Sequence, residues 1–167
     1  MEFEVLDRRE DEGFDRAFRE ARRSVEAEEE LEGENRAYDV FDILHDSRIG
    51  SYSFDGSRRY VFGFEDDELV SMGSLRRQQT PEPRDENVLE IYHLVMEEDY
   101  RGEGRGRETF ERCLEEASEL SEELDLDRWY MNVSRHSEPM LHLAEEYGFE
   151  EVRETPVSVK YLRDAGL

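Results

Sequence analysis

Three glycines, Gly102, Gly104 and Gly106, fall within five positions between a strand-like run, Val88–Met96, and an apolar helical pattern that includes Phe110, Cys113, Leu114, Ala117, Leu120 and Leu124. Glycine in folded chain costs backbone entropy, so a packed domain places it where the main chain turns tightly or approaches a ligand. A helix opening directly after such a turn aims its unpaired N–H groups and positive dipole end back at it, which suits a phosphate. The local charge agrees. Arg101, Arg105 and Arg107 face one acid, Glu103, in a chain with 46 acidic and 22 basic residues. Two familiar phosphate loops are excluded. No Gly-Lys-Ser/Thr is present to end a P-loop, and the third glycine of a dinucleotide fingerprint is replaced by Arg107.

The rest of the chain sorts by periodicity. Phe3 and Val5 alternate as a short strand over 3–7. Phe14, Ala17, Phe18, Ala21 and Val25 predict a helix from Phe14 to about Glu30, and Tyr38, Val40, Phe41 and Leu44 a shorter second one. Residues 46–57 read as a loop. Arg59–Phe64 and Leu69–Leu75 read as a hairpin turning at Glu65-Asp66-Asp67, followed by a surface connection at Thr80-Pro81-Glu82-Pro83. After the glycine turn and its helix, Trp129–Val133 is a strand. Pro139 suits the first turn of a helix carrying Met140, Leu143, Ala144 and Tyr147, with Gly148 as its cap. Phe149–Val152 and Val157–Leu162 read as closing strands. The expected order is β-α-α-β-β-β-α-β-α-β-β, in a single domain over residues 1–167.

Composition narrows the setting. The 167 residues carry a formal charge of -24 with 36% hydrophobic content. Tyrosines and phenylalanines spread along the chain favour a packed core over disorder. No apolar run approaches the roughly 20 residues that span a bilayer. Met1-Glu2-Phe3-Glu4 lacks the basic and apolar regions of a secretory leader, so a cytoplasmic location without membrane partners is expected. The one cysteine, Cys113, excludes a disulfide framework and a cysteine-rich zinc site, and no metal is expected. Lys160 is the only lysine, and acids occur on every segment. Such a charge opposes folding in dilute buffer, and molar salt screens it over about 3 Å. The composition resembles that of an extreme halophile's cytoplasmic protein. Nucleic acid is disfavoured as a partner, because no basic face is available to displace its counterions.

The pattern Arg101-x-x-Gly104-x-Gly106 resembles the pyrophosphate-binding motif of the GNAT superfamily of acetyl-CoA-dependent N-acetyltransferases. Tyr100-Arg101-Gly102 and the block His142-Leu143-Ala144-Glu145-Glu146-Tyr147-Gly148-Phe149 resemble that family too. The motifs span roughly 86–153, and the element order extends the likeness to the whole chain. It implies an α+β (three-layer) fold: a mixed, mostly antiparallel sheet of about six to seven strands, flanked by about four helices. A splayed strand pair would admit the cofactor.

The same resemblance assigns roles. Acetyl-CoA is the implied co-substrate, with its pyrophosphate on Arg101, Gly102, Glu103, Gly104, Arg105 and Gly106. Its pantetheine would pair with backbone groups of Leu94, Val95 and Met96, the Leu94 amide polarising the thioester carbonyl. Glu90 stands where some members carry the catalytic general base. Period-2 alternation puts Glu90, Tyr92, Leu94 and Met96 on one strand face and Leu89, Ile91, His93 and Val95 on the other. A charge there needs a partner or water; His93 is the alternative base. The sequence departs from the family in its last helix. Ala144 and Ser137 replace the usual tyrosine acid and an asparagine seven residues earlier, leaving the general acid unassigned. The implied acceptor is an amine, on a small molecule or a protein, attacking directly in a ternary complex, and a homodimer is among the assemblies allowed. The alternative is a non-catalytic CoA-binding sensor or scaffold of the same fold.

Overall fold

Tyr60, Val61, Phe62 and Phe64 form an almost unbroken apolar run, and all four are buried. A strand with both faces covered needs that composition in place of simple alternation. In the computed structural model this run is part of β2, Arg58–Glu65. The structure describes residues 1–6, 58–66, 68–80, 86–96 and 102–166. The helices expected within 14–44, the loop over 46–57 and Arg101 lie outside them.

The other strands are β1, Glu2–Leu6, β3, Glu68–Thr80, and β4, Glu86–Met96, followed by β5, Arg128–Ser134, β6, Glu150–Glu154, and β7, Ser158–Asp164. Two helices intervene, α1, Arg105–Leu124, between β4 and β5, and α2, Glu138–Glu146, between β5 and β6. The seven strands hydrogen-bond in the order β1-β2-β3-β4-β5-β7-β6. The sheet is mostly antiparallel, as expected. β4 and β5 are parallel, and α1 makes the crossover such a pair requires. Their ladder pairs Leu89 with Trp129 and Glu90 with Tyr130. Strand β3 runs past the expected end at Leu75 to Thr80, and the rest of the expected connection, 81–83, lies outside the described residues.

Contacts divide the chain into two compact units. The first comprises Met1–Ser74 with His93–Arg112. In it β1 pairs antiparallel with β2, Phe3 facing Gly63 and Val5 facing Val61. A Cβ added at Gly63 would lie 2.1 Å from the Ser71 hydroxyl, so only glycine leaves room there. Ser71 Oγ in turn accepts a hydrogen bond from buried Thr109 of α1 at 2.8 Å.

The second unit comprises Leu75–Tyr92 with Cys113–Leu167. Cys113, Ala117 and Leu120 are buried along α1 at helical spacing. β5 pairs with β7 from Arg128–Asp164 to Ser134–Ser158, and β6 joins the outer side of β7 with a register shift between Glu151 and Arg153. Helix α2 ends as its sequence suggests. Gly148 has φ +85, its N–H bonds Glu145 O, and the Phe149 N–H bonds Ala144 O, a pattern that satisfies carbonyls at the helix end. No helix among the described residues is long and apolar enough to cross a membrane.

Candidate active site

In the first unit, β4 leads towards the glycine turn, and α1 opens at once. Gly104 O accepts the first helical hydrogen bond, from Glu108 N at 3.1 Å, so Arg105 and Gly106 lie inside the first turn of the helix. Gly102 and Gly104 have φ of +84 and +81, backbone that L side chains rarely adopt. Gly106 is different. Its backbone has no positive φ, and beyond its chain neighbours and its own helix backbone no described atom lies within 4 Å of a Cβ built on it. Without a side chain at this first-turn position, the helix-end N–H groups stay accessible to an approaching ligand.

The charge at this turn is more balanced than the sequence window suggests. Arg105 Nε donates to Glu65 Oε2 at 3.2 Å, and Arg105 Nη1 donates to Glu103. These bonds, Glu103's first and Glu65's second, raise the Arg105 pKa and keep the guanidinium charged. Glu65 belongs to β2, forty residues earlier in the chain, and no local motif points to it. Leu94 lies half-buried on β4, and Val95 and Met96 complete that strand.

The second unit holds Glu90, 6% exposed in the middle of β4. Arg76 Nε of β3 donates to its Oε2 at 2.9 Å, the partner that a buried carboxylate requires. Tyr130, opposite Glu90 across the parallel ladder, is buried as well, and burial first, then the Glu90 charge, raises its hydroxyl pKa. Val88, Tyr130 and Leu162 form the apolar cluster on this side of the strand. Sequence reasoning anticipated that Glu90 needs a partner or water but gave no means to choose Arg76.

Ala144 on α2 is fully buried, and Ser137 precedes the helix with its carbonyl bonded to Leu141 N at 3.0 Å. Tyr147 follows α2 directly and is half-buried. His142 is exposed, 3.7 Å from Glu146, and His136 is exposed too. Cys113 is core.

Comparison with known proteins supplies the class. A family model described as the acetyltransferase (GNAT) family matches residues 14–149. This chain belongs to the GNAT acetyltransferase family. Among solved structures it is similar to PH1933 from Pyrococcus horikoshii, at 19% identity and TM-score 0.64, over 99% of this chain and 100% of that one. An acyl-CoA N-acyltransferase from Pseudomonas aeruginosa aligns at 16% identity and TM-score 0.59, over 97% and 98%. A spermidine N-acetyltransferase chimera of Vibrio cholerae SpeG and hSSAT aligns at 17% identity and TM-score 0.55, over 97% and 95%. No curated protein matches the chain.

Proposed function

We propose that the chain, as one domain over residues 1–167, transfers an acetyl group from acetyl-CoA to a primary amine by direct attack in a ternary complex. The glycine turn carries the proposal: Gly102 and Gly104, in left-handed backbone, lead straight into the first turn of α1, where Gly106 lies and the helix-end N–H groups suit a phosphate. The pyrophosphate would lie on Gly102, Glu103, Gly104, Arg105 and Gly106, with Arg101 of the same motif. Pantetheine would pair with the backbone of Leu94, Val95 and Met96.

Acetyl-CoA supplies an activated acetyl thioester. The Leu94 amide donates to the carbonyl oxygen, where negative charge develops. Glu90 takes a proton from the acceptor's ammonium group, directly or through water, and frees the lone pair that attacks. The C–N bond forms as the C–S bond breaks, CoA leaves as its thiolate, and the nitrogen's remaining extra proton passes to that thiolate or to water. Exposed acids among the described residues suit a cationic acceptor, and the likeness to a spermidine N-acetyltransferase chimera adds polyamines to the candidates.

A second reading, a CoA-binding module without turnover, has its own observation. Ala144 stands where the resemblance puts a tyrosine acid, and it is fully buried. The discriminating experiment supplies acetyl-CoA with spermidine, lysine or a short peptide with a free N-terminus, in high KCl, and follows release of free CoA. Release that depends on the amine supports transfer. Binding of acetyl-CoA without release for any of them overturns it in favour of the second reading.

A further inference from the structure

Glu90 is held by Arg76, and Arg76 is itself held by a second residue of β4. Arg76 reaches it from β3 with an Nε–Oε2 bond of 2.9 Å. The same guanidinium lies over the ring of Tyr92, its Cζ 4.2 Å from the ring centroid. Tyr92 is two residues after Glu90 on β4, so both side chains leave the same face of the strand. The three residues therefore form a linked set: ring, guanidinium, carboxylate.

Arginine suits such a set better than lysine. Its planar group presents a face to the ring while its N–H groups donate in the plane, whereas an ammonium is a point charge with no plane to stack. The ring holds the guanidinium above it, and the Nε bond then holds the carboxylate. A glutamate on a flexible stem otherwise loses rotamer freedom each time it must find a reacting proton. The bond to Arg76 occupies one of about four lone-pair sites on the carboxylate, leaving acceptor capacity for a second donor.

We propose that Arg76, held by Tyr92, is a positioning residue for the acyl transfer and acts through Glu90. The inference rests on the reading of Glu90 as general base. It adds a residue that touches neither co-substrate yet sets the rate of the proton transfer, with the ring of Tyr92 as its support.

A double-mutant cycle tests it, with steady-state kinetics on whichever amine of the panel above turns over fastest. Glu90→Gln should lower kcat by about tenfold or more, with KM for acetyl-CoA unchanged. Arg76→Gln should lower kcat by a similar factor, also without change in that KM, and Arg76→Lys should restore only part of it. In the Glu90→Gln background, Arg76→Gln should cost less than about twofold, because its route to the reaction is already cut. Methylguanidinium added to Arg76→Gln should recover part of the rate, and none in the double variant. Tyr92→Leu, which leaves the ion pair intact, should give an intermediate loss and keeps the question open to test if Arg76→Gln fails to fold.

An equal cost of Arg76→Gln in both backgrounds, or full kcat in both Arg76→Gln and Tyr92→Leu, would overturn the positioning role while leaving Glu90 as base. Full activity in Glu90→Gln, or no turnover by the wild type with any amine of the panel, would overturn the base reading and this inference with it.

Discussion

The indole N–H of Trp129 on β5 donates to Ser121 Oγ on α1 at 2.7 Å, and Ser121 Oγ in turn donates to the Ala117 carbonyl at 2.6 Å. Both side chains are buried, so the hydroxyl is what satisfies the indole. The serine thereby ties the second half of the crossover helix to the strand that follows it.

Ser121→Ala is expected to destabilise the fold by about 1–3 kcal/mol, because it leaves a buried indole N–H without a partner. Chemical denaturation should show a lower midpoint at unchanged slope. Ser118→Ala, on a half-buried neighbour, should stay within about 0.5 kcal/mol of wild type.

At the glycine turn, Gly104→Ala and Gly104→Glu separate backbone strain from ligand contact. Both place a Cβ on backbone with φ +81, a strain of about 1–2 kcal/mol that thermal unfolding would register. Only the glutamate adds a negative charge where the pyrophosphate is expected. Titration calorimetry with CoA should therefore show a larger loss of affinity for Gly104→Glu than for Gly104→Ala. Wild-type affinity in Gly104→Glu would remove the pyrophosphate site from this turn.

Salt should change stability in proportion to the charge. With a net -24, raising KCl from dilute to molar should increase the melting temperature steeply as self-repulsion is screened. A melting temperature that does not move with KCl would count against the halophile-like reading of the composition and favour an acidic surface meant for cationic partners.

Alkaline pH offers a further test. Tyr161 is buried, and burial first, then Glu145, to which its hydroxyl donates at 3.4 Å, raises its pKa above the ordinary value of 10.0. Below that value both folded and unfolded chains hold the proton, and the group adds no pH dependence. Above it the unfolded chain ionises first, so stability falls as pH rises towards the folded-state pKa. Tyr130 acts in the same direction. Tyr161→Phe should show a shallower loss of stability above about pH 10 than wild type, read from urea midpoints at a series of pH values.

Much of the described fold was legible because its signals are local. The alternation of β4, the helical stripe Phe110, Cys113, Ala117 and Leu120, and Pro139 and Gly148 at the ends of α2 depend on neighbours within a few residues. Those elements appear within a few residues of their expected bounds. The end of α1 was visible only from its last apolar residue. Its capping position is Asp125, in left-handed backbone at φ 55, a place where glycine is the usual signal. The glycine turn was legible for the same local reason, since two of its glycines carry the positive φ that their residue type allows.

The charges were not legible, and the difference is one of range. Glycine spacing and hydrophobic period state what a segment must do wherever it is placed, so they survive without a tertiary context. An ion pair depends on which strands lie side by side and in what register. Fourteen residues separate Arg76 from Glu90 and forty separate Glu65 from Arg105, distances over which a sequence this rich in acids offers many equally good partners. Folding chose among them by burial. It took Glu90 almost out of water in the middle of β4, where an unpaired charge is too costly to keep, and brought Arg76 of β3 to meet it.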